Sequence, residues 1–156
     1  MIASSHDAAF DINANFFDKS RNPLGAVIRD GDVVNPPRDS SWPSIFLNDD
    51  GGTPRIVMPK KWPSYRAGVC IRNNGDLVFF ATPQSRKLRI TEIAKVARRD
   101  DVDGGLACRD AMLFDGGHSV NLYAEGDDRR ISVEGDPVPV HIFATAHSDH
   151  DDAQTK

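Results

Sequence analysis

Short runs of apolar residues, separated by turn-forming residues, dominate the hydrophobic pattern of this chain. In four places two such runs flank a turn rich in glycine, asparagine or aspartate, which is typical of β-hairpins. The paired runs are residues 26–29 with 33–34, residue 47 with 56–57, residues 68–72 with 77–81, and residues 121–124 with 130–133. A closing strand at 138–144 is restricted at its start by Pro137 and Pro139, because proline donates no ladder hydrogen bond. The pattern therefore predicts a largely antiparallel sheet.

One segment has helical rather than strand-like periodicity. Its apolar residues recur at the i, i+3, i+4 and i+7 spacing of an amphipathic helix: Ile90, Ile93, Ala94 and Ala97. Thr91 is the candidate N-cap of this helix. A second, short helical turn is expected at residues 106–110, leading into a strand at 112–114. These elements together predict an α+β fold of one domain, mainly antiparallel sheet packed against one or two helices.

Length and charge restrict the class of protein. A chain of 156 residues fits one domain, which we expect over residues 1–146, with a disordered polar tail at 147–156. The net charge of -4 argues against a nucleic-acid partner, which would favour a basic face. The Lys/Arg-rich stretch at 86–99 is interpreted as the solvated face of a helix. No apolar run approaches the roughly 20 residues that span a bilayer, so no membrane insertion is expected.

Two features of the sequence bear on the cellular compartment. Cys70 and Cys108 form either a disulfide in an oxidising compartment or two buried thiols in the cytosol, and we expect buried thiols. Residues 1–7 reach polar side chains at once and lack the features of a secretory signal. As it stands the chain is therefore expected to be cytoplasmic, and its oligomeric state is left open.

Residues 111–123 have the pattern expected at the ligand-binding edge of a sheet. An apolar segment ends at Asp115, and two glycines and two polar residues follow before the next strand begins. Gly116 and Gly117 leave space beside Asp115 for a bound group, because glycine has no Cβ. The same pattern suits a tight turn in which Asp115 only accepts hydrogen bonds from turn amides. The local pattern leaves both interpretations open.

Three further segments accompany this motif in a fixed order along the chain. They are Asn13-Ala14-Asn15-Phe16-Phe17, Pro23-Leu24-Gly25 and Arg66-Ala67-Gly68-Val69-Cys70-Ile71. Together with the segment at 115–119 they resemble the phosphodiester glycosidase family, over roughly residues 13–144. Members of that family include an enzyme that removes N-acetylglucosamine from a mannose 6-phosphate diester, and many are exported. The resemblance implies hydrolysis of the glycosidic bond in a small-molecule or glycan phosphodiester, and we expect no cofactor and no metal.

Such a reaction needs a carboxylate near the anomeric carbon and hydrogen-bond donors near the phosphate. Asp115 is the expected catalytic carboxylate, acting as nucleophile, as base or as ligand of a sugar hydroxyl. His118 stands where many relatives have glycine, and it is either a second catalytic group, since imidazole titrates near neutrality, or an inactive turn residue. Ser119 either bonds a phosphate oxygen or caps the turn, and the resemblance favours the phosphate.

Two residues from the earlier segments complete the expected site. In an extended strand Asn15 would point the same way as Asn13, and we expect it to bind a sugar hydroxyl or the phosphate. The planar guanidinium of Arg66 suits a phosphate diester. The alternatives are an asparagine that satisfies buried backbone and an arginine that binds nothing. We expect these two side chains, Asp115 and Ser119 to converge on one concave pocket.

Two other functions remain compatible with the same residues. The first is a non-catalytic binding module for a phosphorylated glycan or a nucleotide-type ligand, which the histidine at position 118 favours. The second is an intracellular enzyme that acts on a nucleotide-derived signalling molecule, where the same type of bond joins sugar to phosphate. A screen of glycosyl phosphodiesters and nucleotide sugars for free sugar and for bound ligand separates these functions.

Overall fold

A computed structural model describes residues 8–24, 27–29, 32–36, 46–47, 62–126 and 128–145. Its strands are β1 (Ala8–Asn13), β2 (Val27–Arg29), β3 (Asp32–Asn35), β4 (Phe46–Leu47), β5 (Ala67–Arg72), β6 (Leu77–Ala81), β7 (Cys108–Leu113), β8 (Leu122–Glu125), β9 (Arg130–Val133) and β10 (His141–Thr145). The described residues also include the α-helix α1 (Ile90–Arg98). Short 3-10 helices lie at Asp101–Asp103 and Gly117–Ser119.

The strands form two four-stranded antiparallel sheets and one separate hairpin. Sheet I has the order β10-β1-β8-β9, sheet II has the order β4-β7-β5-β6, and β2 pairs with β3 alone. The predicted hairpins β2–β3, β5–β6 and β8–β9 are confirmed. Of the fourth, residues 56–57 lie outside the described residues, and β4 pairs with β7. The predicted α+β class, mostly antiparallel sheet, is confirmed.

Two hydrophobic clusters hold these layers together. One lies between the apolar face of α1 and sheet II, and includes Phe80, Ile93 and Ala97. The other joins the two sheets, with Ile12 from sheet I and Phe114 from the end of sheet II at its centre. Burial of these side chains provides the main stabilisation of the fold. The second cluster also brings the end of β7 close to the end of β1, where the motif residues meet.

The start of α1 differs from the prediction. The N-cap residue is Arg89 rather than Thr91, which is already inside the helix. The Glu92 carboxylate accepts a hydrogen bond of 2.6 Å from the Arg89 backbone N–H. A glutamate at the third helical position can satisfy the N-cap amide in this way, so the helix begins two residues earlier than a threonine cap would place it.

The predicted helical turn at 106–110 is wrong, because β7 already begins at Cys108. The turn lies earlier, at Asp101–Asp103, and ends at Gly104 in the left-handed conformation with φ 76°. Antiparallel pairing with β5 fixes residues 108–113 as a strand. This long-range pairing overrides the local preference, as tertiary contacts often do.

The expectation of buried thiols is also wrong, since Cys70 and Cys108 form a disulfide. The two strands that carry them are neighbours in sheet II, and Arg72 pairs with Cys108 in their register. Their Cα atoms are 5.7 Å apart, a separation that a disulfide spans readily. The bond therefore links β5 to the first residue of β7 on the buried side of the sheet.

Candidate functional site

The chain crosses from sheet II to sheet I directly after β7. Phe114 donates its backbone N–H to the Ala67 carbonyl over 2.8 Å and still belongs to sheet II. The next residue, Asp115, donates its N–H to the Ala14 carbonyl over 3.0 Å, just beyond the end of β1. Asp115 therefore lies, half-buried, at the junction of the two sheets.

Asn13, the last residue of β1, fixes this junction. Its side chain is fully buried, and its Nδ2 donates to the Asp115 carbonyl over 2.8 Å. Its Oδ1 accepts the Asn121 backbone N–H over 3.0 Å. One amide thus joins Asp115 to Asn121, which lie on opposite sides of the 3-10 turn at Gly117–Ser119. Sequence reasoning did not select Asn13 as a site residue, although it begins the Asn-x-Asn segment.

Asn15 does not share a strand with Asn13, so the expectation that both point the same way in an extended strand is wrong. β1 ends at Asn13, and Asn15 occupies a bend. It nevertheless follows Ala14, whose carbonyl holds the Asp115 amide. Asn15 is half-buried and lies in the backbone segment that contacts Asp115.

The Asp115 carboxylate contacts the turn that follows it. Its Oδ1 accepts the Gly116 backbone N–H over 2.8 Å, the contact expected of an acid in a tight turn. This geometry fits the turn interpretation of Asp115. It is equally compatible with a chemical role, because a carboxylate has two oxygens and about four acceptor positions.

The two glycines of the motif allow the turn to pack against the backbone of Tyr65. Gly117 donates its N–H to the Tyr65 carbonyl over 3.0 Å and has φ +69°, which favours glycine. A Cβ on Gly116 would lie 2.8 Å from the same carbonyl oxygen. The space beside Gly116 is thus filled by the protein's own backbone.

Arg66 lies on the other side of this turn and is 7% exposed. Its Nε donates to the Leu88 carbonyl over 3.2 Å and its Nη2 to the Trp62 carbonyl over 3.3 Å. Its Nη1 is 3.8 Å from the position that a Cβ on Gly116 would take. Within the described part of the chain, no carboxylate forms an ion pair with Arg66. Burial lowers the pKa of this guanidinium, which still stays charged at neutral pH.

His118 and Ser119 occupy the 3-10 turn. The His118 ring is exposed and makes an edge contact with the Tyr65 ring, with centroids 6.2 Å apart. Ser119 is half-buried, and its carbonyl accepts the Asn121 Nδ2 over 3.1 Å. The His118 carbonyl accepts the Asp136 N–H over 2.6 Å. Backbone contacts on both sides therefore fix the path of this turn.

The structure brings most of the predicted site residues together around one turn. Asp115, Gly116 and Gly117 lie between the backbone after β1 and the residues before β5, and Arg66 is in contact range of Gly116. Ser119 lies two residues further on, beyond the exposed His118. The convergence of these residues on a single concave pocket stays a prediction.

A buried Asp–His pair lies beside Asn13 on sheet I. The Asp11 Oδ1 and the His141 Nδ1 are 2.7 Å apart, with side chains 2% and 8% exposed. His141 is opposite Asn13 in the β1–β10 register. Sequence reasoning missed this pair because its members are 130 residues apart and only the pairing of the first and last strands joins them.

Within the ranges that the structure describes, no cluster of three or more His, Cys, Asp or Glu side chains could hold a metal ion. No helix in those ranges is both long and apolar enough to cross a membrane.

Comparison with known families gives one match. A sequence model of the phosphodiester glycosidase family matches residues 50–145, which is more than half of the 156 residues. The matched range contains Arg66 and the motif from Asp115 to Ser119, and it begins after the segment of Asn13 and Asn15. Searches of curated proteins and of solved structures each found no match.

Proposed function

The chain belongs to the phosphodiester glycosidase family, and on that premise we propose that it hydrolyses the glycosidic bond of a sugar phosphodiester. The family name implies a glycosidase-type hydrolase. The observation that carries the proposal is the buried Arg66 guanidinium beside Gly116, which forms no ion pair with any carboxylate of the described residues.

A buried cation without a counter-charge is unfavourable, because burial removes the hydration of the charge. A bound anion compensates that cost. A phosphodiester carries one negative charge, and a guanidinium donates to phosphate oxygens with well-matched geometry. In the proposed complex the Nη1 of Arg66 donates to a phosphate oxygen, while Nε and Nη2 keep their bonds to backbone carbonyls. Ser119 and Asn15 are proposed to bind the phosphate or a sugar hydroxyl.

Asp115 is the proposed catalytic carboxylate. As the phosphate departs, the anomeric carbon develops positive charge, which a nearby carboxylate stabilises. The backbone of Asp115 is held at its N–H by Ala14 and at its carbonyl by Asn13, so its position costs little reorganisation during the reaction. Phosphate is already a good leaving group, so a single carboxylate can suffice. His118 is proposed as a secondary hydrogen-bond donor to the ligand.

Asp115→Asn tests this assignment. An asparagine Oδ1 still accepts the Gly116 N–H, so the fold and ligand binding should persist. The amide cannot stabilise positive charge, and we expect the rate of sugar release to fall about 100-fold or more, the usual effect of losing an electrostatic catalytic group. Free sugar is measured over a panel of glycosyl phosphodiesters, together with thermal unfolding. Asp76→Asn, in an exposed turn, is the matched control.

Two results would change the proposal. Full activity in a stably folded Asp115→Asn protein would remove Asp115 from the chemistry. A parent protein that binds members of the panel and releases no sugar from any would favour the alternative, a non-catalytic binding module for a phosphorylated glycan or nucleotide-type ligand. The turn contact between the Asp115 Oδ1 and Gly116 is the feature that suits that alternative.

The disulfide supports a proposal on the compartment. Structural disulfides persist in oxidising environments and are rare in the cytosol. We therefore propose that the protein works in an oxidising compartment, in contrast to the cytoplasmic expectation from residues 1–7. Alkylation of the native source at lysis, followed by a mass measurement on the purified protein, tests this. Two alkylated cysteines per chain would contradict it.

A further inference from the structure

Tyr65, Lys87 and His118 form a cluster at the exposed end of residues 115–119, which we call the motif turn. The Tyr65 carbonyl holds the Gly117 amide, and its half-buried ring packs against the cluster between the two sheets. The Lys87 Nζ lies 5.2 Å from the centroid of this ring, and the His118 ring meets it edge-on. Two side chains that can carry positive charge therefore contact one aromatic ring.

The backbone fixes Lys87 close to Arg66. Leu88, the next residue, forms two hydrogen bonds with Ser64, of 2.9 and 3.1 Å. The Leu88 carbonyl also accepts the Arg66 Nε. The segment that carries Lys87 is thus attached to the segment that carries Tyr65 and Arg66, so the distance of Lys87 from the buried guanidinium is restricted.

Within the part of the chain that the structure describes, no carboxylate pairs with the Lys87 ammonium or the His118 ring. Both side chains are exposed. The buried Arg66 can neutralise the single charge of a phosphodiester. The two outer groups are then available for a second negative group, on a part of the ligand that reaches the surface.

We infer that Tyr65, Lys87 and His118 form a subsite for the leaving group, and that this subsite favours phosphodiesters whose alcohol carries a further negative charge, such as a phosphate monoester. The inference rests on the proposed function, because it takes Arg66 as the site of the diester. The Lys87 ammonium and a His118 ring N–H bind the second anion, and the Tyr65 ring contacts the carbon chain between the two charges.

Two substrates with the same sugar test this subsite. In one, the phosphodiester joins the sugar to methanol. In the other, it joins the same sugar to the hydroxyl of 3-hydroxypropyl phosphate, which adds a terminal phosphate monoester. We expect the parent protein to have the higher kcat/KM for the charged diester. Lys87→Gln should lower the ratio of the two kcat/KM values about fivefold, the effect of losing an exposed ion pair. Lys95→Gln, which removes an exposed lysine on α1, should keep the parent ratio.

Binding measurements separate this inference from the proposed function. Calorimetric titrations with inorganic phosphate and with pyrophosphate compare one anionic group with two linked groups. If no diester of the panel is hydrolysed, the proposed function fails, and the subsite still predicts that Lys87→Gln weakens pyrophosphate binding about fivefold more than phosphate binding. The subsite would be overturned if Lys87→Gln and Lys95→Gln had the same ratio of pyrophosphate to phosphate affinity and, where hydrolysis occurs, the same ratio of the two kcat/KM values.

Discussion

Gly116→Ala is expected to separate the motif turn from Tyr65. The backbone of Gly116 has φ -118°, which any residue can adopt, so the substitution changes only the space that the side chain occupies. The new Cβ would lie 2.8 Å from the Tyr65 carbonyl oxygen and 3.8 Å from the Arg66 Nη1. The first distance is a steric overlap with backbone, which cannot rotate away as a flexible side chain would.

The size of the effect follows from what must move. The turn has to shift away from Tyr65, which weakens the hydrogen bond of 3.0 Å from the Gly117 N–H to the Tyr65 carbonyl. A lost hydrogen bond costs about 1 kcal/mol, and overpacking in a close contact typically costs about 1–3 kcal/mol. We therefore expect a loss of about 2 kcal/mol in the free energy of unfolding, with a fall in kcat/KM because Asp115 and Arg66 move apart.

Urea denaturation and sugar release measure both effects. Gly126→Ala is the matched control, since a Cβ there meets no atom within 4 Å, and replacing a glycine in open space changes stability little. If Gly116→Ala unfolds at the same urea concentration as Gly126→Ala and hydrolyses the diester equally fast, the close contact with Tyr65 does not constrain the turn.

Two further predictions concern the sheets. The double variant Cys70→Ser with Cys108→Ser removes a cross-link between residues that are 38 positions apart. We expect its free energy of unfolding to be about 4 kcal/mol lower than that of the parent, because the cross-link reduces the entropy of the unfolded chain. Urea titrations of both proteins without reductant measure this difference. Glu125 accepts a hydrogen bond from the Tyr123 hydroxyl and raises the pKa of that phenol, because the bond stabilises the neutral form. Ultraviolet titration should show Tyr123 ionising above its usual range, and Glu125→Gln should lower the midpoint; an unchanged midpoint would contradict the assigned cause.

Local features of this fold could be predicted from the sequence, and long-range pairings could not. The hairpin around Gly75 depends on a short turn sequence between two apolar runs, and α1 depends on periodicity within nine residues. The Cys70–Cys108 bond and the Asp11–His141 contact depend on the register of strands that are distant in sequence. A single sequence does not contain that register, because many pairings bury similar apolar surface.

The candidate site shows the same division between residue identity and environment. The motif identified Arg66 and Gly116 as residues with a special environment, and both lie at the junction of the sheets. The Arg66 Nε donates to the Leu88 carbonyl, and the Tyr65 carbonyl occupies the space that a Cβ on Gly116 would need. Composition and spacing do not contain such contacts, since they arise only when the segment before β5 packs against the turn.

Asn13, which sequence reasoning did not select, provides the last prediction. Its Nδ2 donates to the Asp115 carbonyl and its Oδ1 accepts from Asn121, so Asn13→Asp keeps the acceptor and replaces the donor by a carboxylate oxygen facing a carbonyl. We expect a loss of about 3 kcal/mol in the free energy of unfolding at neutral pH, the upper range for an unsatisfied buried group.

Burial and the facing carbonyl raise the pKa of the introduced carboxyl above its unfolded value of about 3.9. The folded state then binds the proton more tightly, so the deficit relative to the parent should shrink as pH falls through the raised pKa, and the protonated group can donate to Asp115 again. Parallel urea titrations at neutral and mildly acidic pH measure the difference between variant and parent. A deficit that stays constant or grows on acidification would show that the Asn13 donor does not hold the Asp115 carbonyl.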